Sequence, residues 1–237
     1  MKDKLLILLA MYPIGILLGL LFYSLRFLNW IHPSSGIKIL NQKRFPKKQG
    51  CMLIVANHPS LLEPVLIPLL FFKELVFKPF GTPWSVPDKK NFFDRWYWAW
   101  SKIRLVPINR ESDSETRSAI KRIREILGAG GRVILHPEGG RTSSGKLFYK
   151  NENGHKLRVL KEGVSLIVSS ETLIVPIWID GAEKVLPNKP GKLYHCFPDF
   201  RKRVIMKIGK PFCIKKINRK ETAQKIALAL LELADEE

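Results

Sequence analysis

The sequence predicts a single layered α/β domain with a mixed, largely parallel sheet flanked by helices, preceded by an apolar N-terminal membrane helix or hairpin. Short β-branched or apolar runs alternate with amphipathic helical patterns along most of the chain, the order that builds a sheet covered by helices. Ahead of them no charge occurs between Lys4 and Arg26, and residues 5–20 are almost wholly apolar, close to the ~20 residues needed to cross a bilayer. No Pro/Gly/Ser-rich linker divides the remainder. The expected organisation is therefore a membrane-anchoring segment at 1–31 and one domain at 32–237.

The elements follow in order. The apolar run continues through Phe22, Tyr23, Phe27 and Trp30, which suit interface anchors, and no small-residue cleavage site interrupts it. Pro13, Gly15 and Gly19 weaken a straight spanning helix, so a kinked helix or a hairpin in one leaflet competes with a span. A buried helix of a soluble core would show a polar face. Lys2, Lys4 and Arg26 flank both ends and give little direction, while the basic remainder places the domain on the cytoplasmic face of the cell or inner membrane. After a turn-rich stretch at 32–36, strands are expected at 52–56, 104–108, 132–136, 173–179 and 204–208. A helix should run from an N-cap at 112–114 through Ile120, Ile123, Ile126 and Leu127 to a stop at Gly128. A last helix covers 220–234.

Composition bounds the function. With 237 residues, 46% apolar and 26% charged, the chain is neither disordered nor a small disulfide scaffold. Its formal charge of +19 calls for an anionic partner: nucleic acid, an anionic membrane or a phosphorylated substrate. Cys51, Cys196 and Cys213 are odd in number and far apart, so they read as reduced, buried thiols and no metal site is expected.

Three loops carry candidate chemistry. The 52–56 strand leads into Asn57-His58-Pro59, with Glu63 five residues after the histidine. A carboxylate so placed can hold one ring nitrogen and leave the other as general base, although the same spacing also suits a turn-capping histidine and a glutamate at a helix start. The 132–136 strand leads into Pro137-Glu138-Gly139-Gly140-Arg141-Thr142-Ser143-Ser144-Gly145. Glycine backbone, the Arg141 fork and the Thr142 hydroxyl suit an anion, and Glu138 could fix the loop or the arginine; a surface hairpin is the plainer alternative. The 104–108 strand delivers Arg110.

Asn57-His58-Pro59-Ser60-Leu61-Leu62-Glu63, Val106-Pro107-Ile108-Asn109-Arg110, Pro137-Glu138-Gly139-Gly140-Arg141-Thr142-Ser143 and Ile174-Val175-Pro176-Ile177 together resemble the four ordered blocks of the glycerolipid acyltransferases. The likeness is close to the 1-acylglycerol-3-phosphate (lysophosphatidate) acyltransferase group, and it covers about residues 52–212. The resemblance implies a glycerol-3-phosphate acyltransferase-like fold with His58 as base and Glu63 orienting it. It also implies that Asn57, Arg110, Glu138, Gly139, Arg141 and Thr142 serve substrate binding, with Asn57 shaping its loop. The acyl donor would be acyl-CoA or acyl carrier protein, with no metal or tightly bound cofactor. Glu63 stands where most of the family has Asp, and Gly140 where it commonly has Thr; both bear on the acceptor.

Residues 91–100 hold Phe92, Phe93, Trp96, Tyr97, Trp98 and Trp100 among cations, a helix that suits a membrane interface, an acyl groove or plain core. Residues 201–220 contain nine basic residues and no acid, a footprint for anionic lipid or a solvated basic face. No nucleic-acid-binding module is recognisable, so nucleic acid is not expected as a partner. The expected function is a membrane-associated acyltransferase making phosphatidate from a lysophospholipid acceptor. Two alternatives stand beside it: the same chemistry on a glycolipid, an ornithine-type lipid or another lysophospholipid, and a non-catalytic lipid-binding membrane-surface protein.

Overall fold

The computed structural model describes residues 11–46, 50–187, 198–215 and 218–236. Cys196, Lys2 and Lys4, with the first part of the apolar run, lie outside the described residues. Along the chain run α1 (Tyr12–Ile31), β1 (Gly36–Leu40), β2 (Met52–Ala56), α2 (Glu63–Leu69), α3 (Phe72–Phe77), β3 (Trp84–Ser85), α4 (Asp113–Gly128) and β4 (Arg132–Leu135). There follow β5 (Phe148–Lys150), β6 (Lys156–Arg158), β7 (Leu173–Asp180), α5 (Ala182–Val185), β8 (Arg203–Ile208) and α6 (Arg219–Asp235). Six strands form one sheet in the order β1-β8-β7-β2-β4-β3, while β5 and β6 make a separate antiparallel hairpin. Strands β7, β2, β4 and β3 are parallel, and β8 reverses against β7 with β1 parallel to it. The sheet is mixed and largely parallel, as the sequence implies.

Period-2 alternation divides the core between the two faces. Leu53 and Val55 of β2, Val133 and Leu135 of β4, and Trp178 of β7 pack with α4 and α6. Met52, Ile54, Ala56, Ile134, Val175, Ile177 and Ile179 face the other way, toward Phe22 and Leu25 of α1 and Leu66 and Ile67 of α2. Ser112 caps α4 by accepting from the Glu115 backbone N–H at 3.3 Å, and Asn218 caps α6 through the Lys220 N–H at 3.1 Å, each satisfying one N–H that the helix itself cannot.

Several expectations change. Residues 104–108 are not a strand: they follow a 3-10 stretch, Trp96–Arg104, and meet β3 and its continuation only through isolated bridges at Leu105 and Ile108. Pro107 has no N–H and Pro87 interrupts the facing segment, so no continuous ladder forms. The aromatic run is not one helix either; a π-helical turn at Lys89–Phe93 precedes the 3-10 stretch. Strand β1 and the two-residue β3 were not singled out by the pattern. Cys51 is half-buried and Cys213 exposed, against the expectation of buried thiols.

Helix α1 is long and apolar enough to cross a membrane by length and composition, and Pro13 sits within its first two positions, where a missing N–H costs nothing. It is continuous across Gly15 and Gly19. These glycines serve approach: a Cβ at Gly15 would lie 2.4 Å from a Leu75 methyl, and one at Gly19 2.0 Å from the Phe72 ring. Phe22, 2% exposed, and Leu25, 9%, bury against the domain, each side chain worth about 1.5–3 kcal/mol on full burial. Helix α1 thus packs against the residues beyond the 31/32 boundary that the sequence suggests. Its other face leaves Leu17, Leu20, Leu21, Phe27, Trp30 and Ile31 exposed.

Gly19→Ala should gain up to ~1 kcal/mol of helix propensity and lose about 1–3 kcal/mol by overpacking against Phe72. We expect a net loss near 1 kcal/mol in urea unfolding followed by tryptophan fluorescence. Phe72→Ala in the same chain should turn the glycine replacement into a gain.

Candidate active site

Strands β2 and β4 end side by side, with Val55 paired to Leu135, and each is followed within two residues by a His-Pro dipeptide. Parallel strands carry their polar loops at the same edge, the usual site-bearing edge of such a sheet. His58 Nδ1 lies 3.0 Å from Glu63 Oε2, with the histidine side chain 16% exposed and the glutamate fully buried. The other oxygen, Glu63 Oε1, accepts the Ser60 backbone N–H at 2.9 Å. A carboxylate only accepts, so His58 Nδ1 carries the proton when the ring is neutral, and Nε2 is left with its lone pair. The additional methylene of Glu63 is accommodated because the residue opens α2, where the Ser60 N–H locks the carboxylate in place.

The second loop is built onto the first. Glu138, also fully buried, accepts the His58 backbone N–H at 2.7 Å, the Thr142 hydroxyl at 2.8 Å and the Arg158 backbone N–H at 3.0 Å. Burial pushes its carboxyl upward, opposed by these hydrogen bonds. The Thr142 N–H donates to the His58 carbonyl at 2.8 Å. Asn57 donates from Nδ2 to the Ile179 carbonyl at 2.9 Å and accepts the Ile179 N–H at 2.8 Å, clamping the loop to β7. The buried side chains of Asn57 and Glu138 and the half-buried Thr142 hydroxyl are therefore hydrogen-bonded within the protein. These hydrogen bonds hold the two loops together, a role beside the substrate binding that the resemblance implies for the same residues.

Gly139 has φ +65, and a Cβ there would come 3.0 Å from the Lys161 side chain, so both conformation and space favour glycine. At Gly140 a Cβ would come 2.5 Å from Arg158 Nη1; the guanidinium occupies the place that a larger residue would need.

These loops open on a cavity of about 430 Å³. His58, Arg110, Gly140 and Arg141 form its polar side. Met11, Gly15 and Leu18 beside and on α1, with Leu61, Leu69, Leu75 and Leu105, form an apolar wall. Arg110 Nε stands 3.5 Å from Asp88, which also lines the cavity. The structure thus brings His58, Glu63, Arg110 and Arg141 to one site. Sequence reasoning missed Asp88, Arg104 and His136. Arg104 lines the cavity, lies 5.0 Å over the Trp84 ring and donates to the Phe80 carbonyl; burial lowers its pKa. His136 had a legible signal, since its His-Pro repeats that of His58 at the end of a neighbouring strand.

Of the basic run at 201–220, Arg201, Lys202, Lys210, Lys215, Arg219 and Lys220 are exposed. Lys207 is buried in β8, donating to the Ala234 carbonyl at 2.5 Å beside Asp180 at 3.8 Å. Arg201 pairs with Asp199, and Arg203 donates to the Pro33 carbonyl. Lys216 lies outside the described residues.

The fold thus carries a histidine–carboxylate pair at the loop-bearing edge of its sheet, an arrangement that suits general-base chemistry. The family model for acyltransferases matches residues 36–180, from β1 through β7, and the chain belongs to that family. It is 26% identical over 168 residues to a chloroplastic 1-acyl-sn-glycerol-3-phosphate acyltransferase of Arabidopsis thaliana, over 70% of this chain and 42% of that protein. A chloroplastic 1-acyl-sn-glycerol-3-phosphate acyltransferase of Brassica napus is 25% identical over 169 residues, covering 70% and 43%. The chain thus spans less than half the length of these plant relatives. Its fold is similar to the crystal structure of the 1-acyl-sn-glycerophosphate (LPA) acyltransferase of Thermotoga maritima, with TM-score 0.52 and 15% identity over 100% of this chain and 98% of that one.

Burial, with the charge of His58, pushes the His136 ring down to about 3 from its ordinary 6.5. Between those values the unfolded chain binds a proton that the folded chain refuses, so stability falls as pH drops through 6.5. Glu138, raised by burial, works in the opposite sense above the ordinary carboxylate range. Urea midpoints should decrease from pH 7 to pH 5, and His136→Phe should flatten that slope.

Proposed function

We propose that the chain is a membrane-associated O-acyltransferase that moves a fatty acyl group from acyl-CoA or acyl carrier protein to the free hydroxyl of a lysophospholipid. The acceptor is 1-acylglycerol-3-phosphate and the product phosphatidate. The observation that carries this reading is the His58–Glu63 pair at 3.0 Å on a cavity that also presents Arg110 and Arg141. His58 Nε2 takes the acceptor hydroxyl proton as the oxygen attacks the thioester carbonyl. The C–O bond forms, the tetrahedral species collapses, the C–S bond breaks, and the imidazolium returns its proton to the departing sulfur. Glu63 stabilises the cationic ring and fixes its tautomer. Arg110 and Arg141 offer the charge and the bidentate geometry that a phosphate head group requires, and the apolar wall suits an acyl chain.

The exposed apolar face of α1 supports membrane association, with Phe77, Phe80 and Trp96 also exposed. The +19 charge favours an anionic leaflet, and a cytoplasmic disposition of the domain belongs to the same proposal. Arg158 standing against Gly140 favours a second reading of the acceptor, in which the head-group side admits another lysophospholipid, a glycolipid or an ornithine-type lipid.

The test is thiol release from acyl-CoA and from acyl carrier protein by protein in anionic liposomes, across a panel of acceptors. Release should depend on lysophosphatidate and fall about 10²–10⁴-fold in His58→Ala. Glu63→Gln should lose a large part of the rate, and Glu63→Asp should retain more of it. Release with other lyso-lipids alone would move the acceptor to the second reading. No release with any acceptor, from folded protein bound to liposomes, would leave a lipid-binding surface protein.

A further inference from the structure

A second histidine stands in the site with no part in the chemistry above. The His136 ring lies against the His58 imidazole, centroids 4.6 Å apart and planes at 27°. Its Nδ1 is 3.2 Å from the Asn57 carbonyl oxygen. A carbonyl can only accept, so Nδ1 bears the proton and Nε2 of the neutral ring is a bare acceptor. That Nε2 is buried with no hydrogen-bond partner among the described residues. A proton added there would be an unanswered buried donor beside the stacked neighbouring histidine, which agrees with a ring held neutral down to about pH 3.

The Asn57 carbonyl and the His58 N–H belong to one peptide group. Glu138 holds its N–H end at 2.7 Å and His136 its C=O end, while the Thr142 N–H holds the next carbonyl. Glu63 grips the His58 ring at one nitrogen only, which leaves the imidazole free to rock about that bond; a ring stacked on its face removes the motion. We infer that His136 is a positioning residue for the transfer reaction: its Nδ1–H fixes the peptide that carries His58, and its ring face sets the plane of the His58 imidazole. The inference rests on the reading of His58 as the base. It acts where misplacement of the base by ~1 Å costs about a hundredfold in rate.

The full chain in liposomes tests this with three variants, each checked for wild-type-like thermal unfolding. His136→Phe keeps a ring without a donor, His136→Asn keeps a donor near the Nδ1 position without the ring, and His136→Ala has neither. The kcat should fall about tenfold in each of the first two and about a hundredfold in the third, with KM for donor and acceptor within about twofold of wild type. In a His58→Ala background, His136→Ala should leave the residual rate unchanged, because His136 works through His58. A rise in KM at constant kcat, or an equal loss in both backgrounds, would overturn the inference. Independently, the ¹⁵N imidazole spectrum of the unmodified chain at pH 6 should give His136 as the neutral Nδ1–H tautomer. An Nε2–H tautomer or an imidazolium overturns the positioning role. That spectrum needs no turnover, so an inactive chain would sink the functional reading while the tautomer still decided the geometry.

Discussion

The buried carboxylate of Glu138 ties together three stretches of chain that are far apart in sequence: the His58 loop, the Gly-Gly-Arg loop and the end of the β5–β6 hairpin. Placing a carboxylate at zero exposure is unfavourable by several kcal/mol unless donors answer it, and here two backbone N–H groups and one hydroxyl do. Because one of those donors is the amide of His58 itself, the Gly-Gly-Arg loop and the loop that carries the candidate base cannot move independently. The same logic operates at Asn57, whose amide locks the loop to β7 with a two-way bond. The candidate base is therefore held from β4 and β7 on either side of its own strand, as well as by Glu63.

The cavity depends in turn on α1. A helix that composition alone assigns to the membrane supplies part of the cavity's apolar wall through Gly15 and Leu18, and its glycines let it approach α3 closely enough to do so. One apolar face is buried in the domain and the opposite one is exposed. A helix with two apolar faces offers both the apolar stripe that a packed element needs and the unbroken apolar length of a span. This is why the apolar run reads as a membrane segment from composition while one of its faces also packs into the domain.

Electrostatics were readable as a total, and locally except where a strand turns a basic residue inward. The +19 charge is a property of the chain, but of the basic run at 201–220 Arg203 and Lys207 lie in β8, where Lys207 points inward to close the last turn of α6 at Ala234. The arginines that matter at the cavity, Arg104, Arg110 and Arg141, come from other segments. Arg158, on the short hairpin, reaches the Gly140 loop by a fold contact that no spacing announces.

The sequence by itself determined the layered α/β class, the strands at β2, β4, β7 and β8, the capped helix α4 and the last helix α6, and it named His58 and Glu63 as candidate partners. Each rests on a period, a cap or a short separation, and such local signals survive without neighbours. Only the tertiary structure decided that Asn57 and Glu138 face inward, that Thr142 bonds to Glu138, that 104–108 pairs by single bridges past Pro107, and that His136 stacks on His58. These follow from hydrogen-bond satisfaction between segments distant along the chain. A buried polar group takes whichever partner the fold brings to it, and that partner is not written beside it in the sequence.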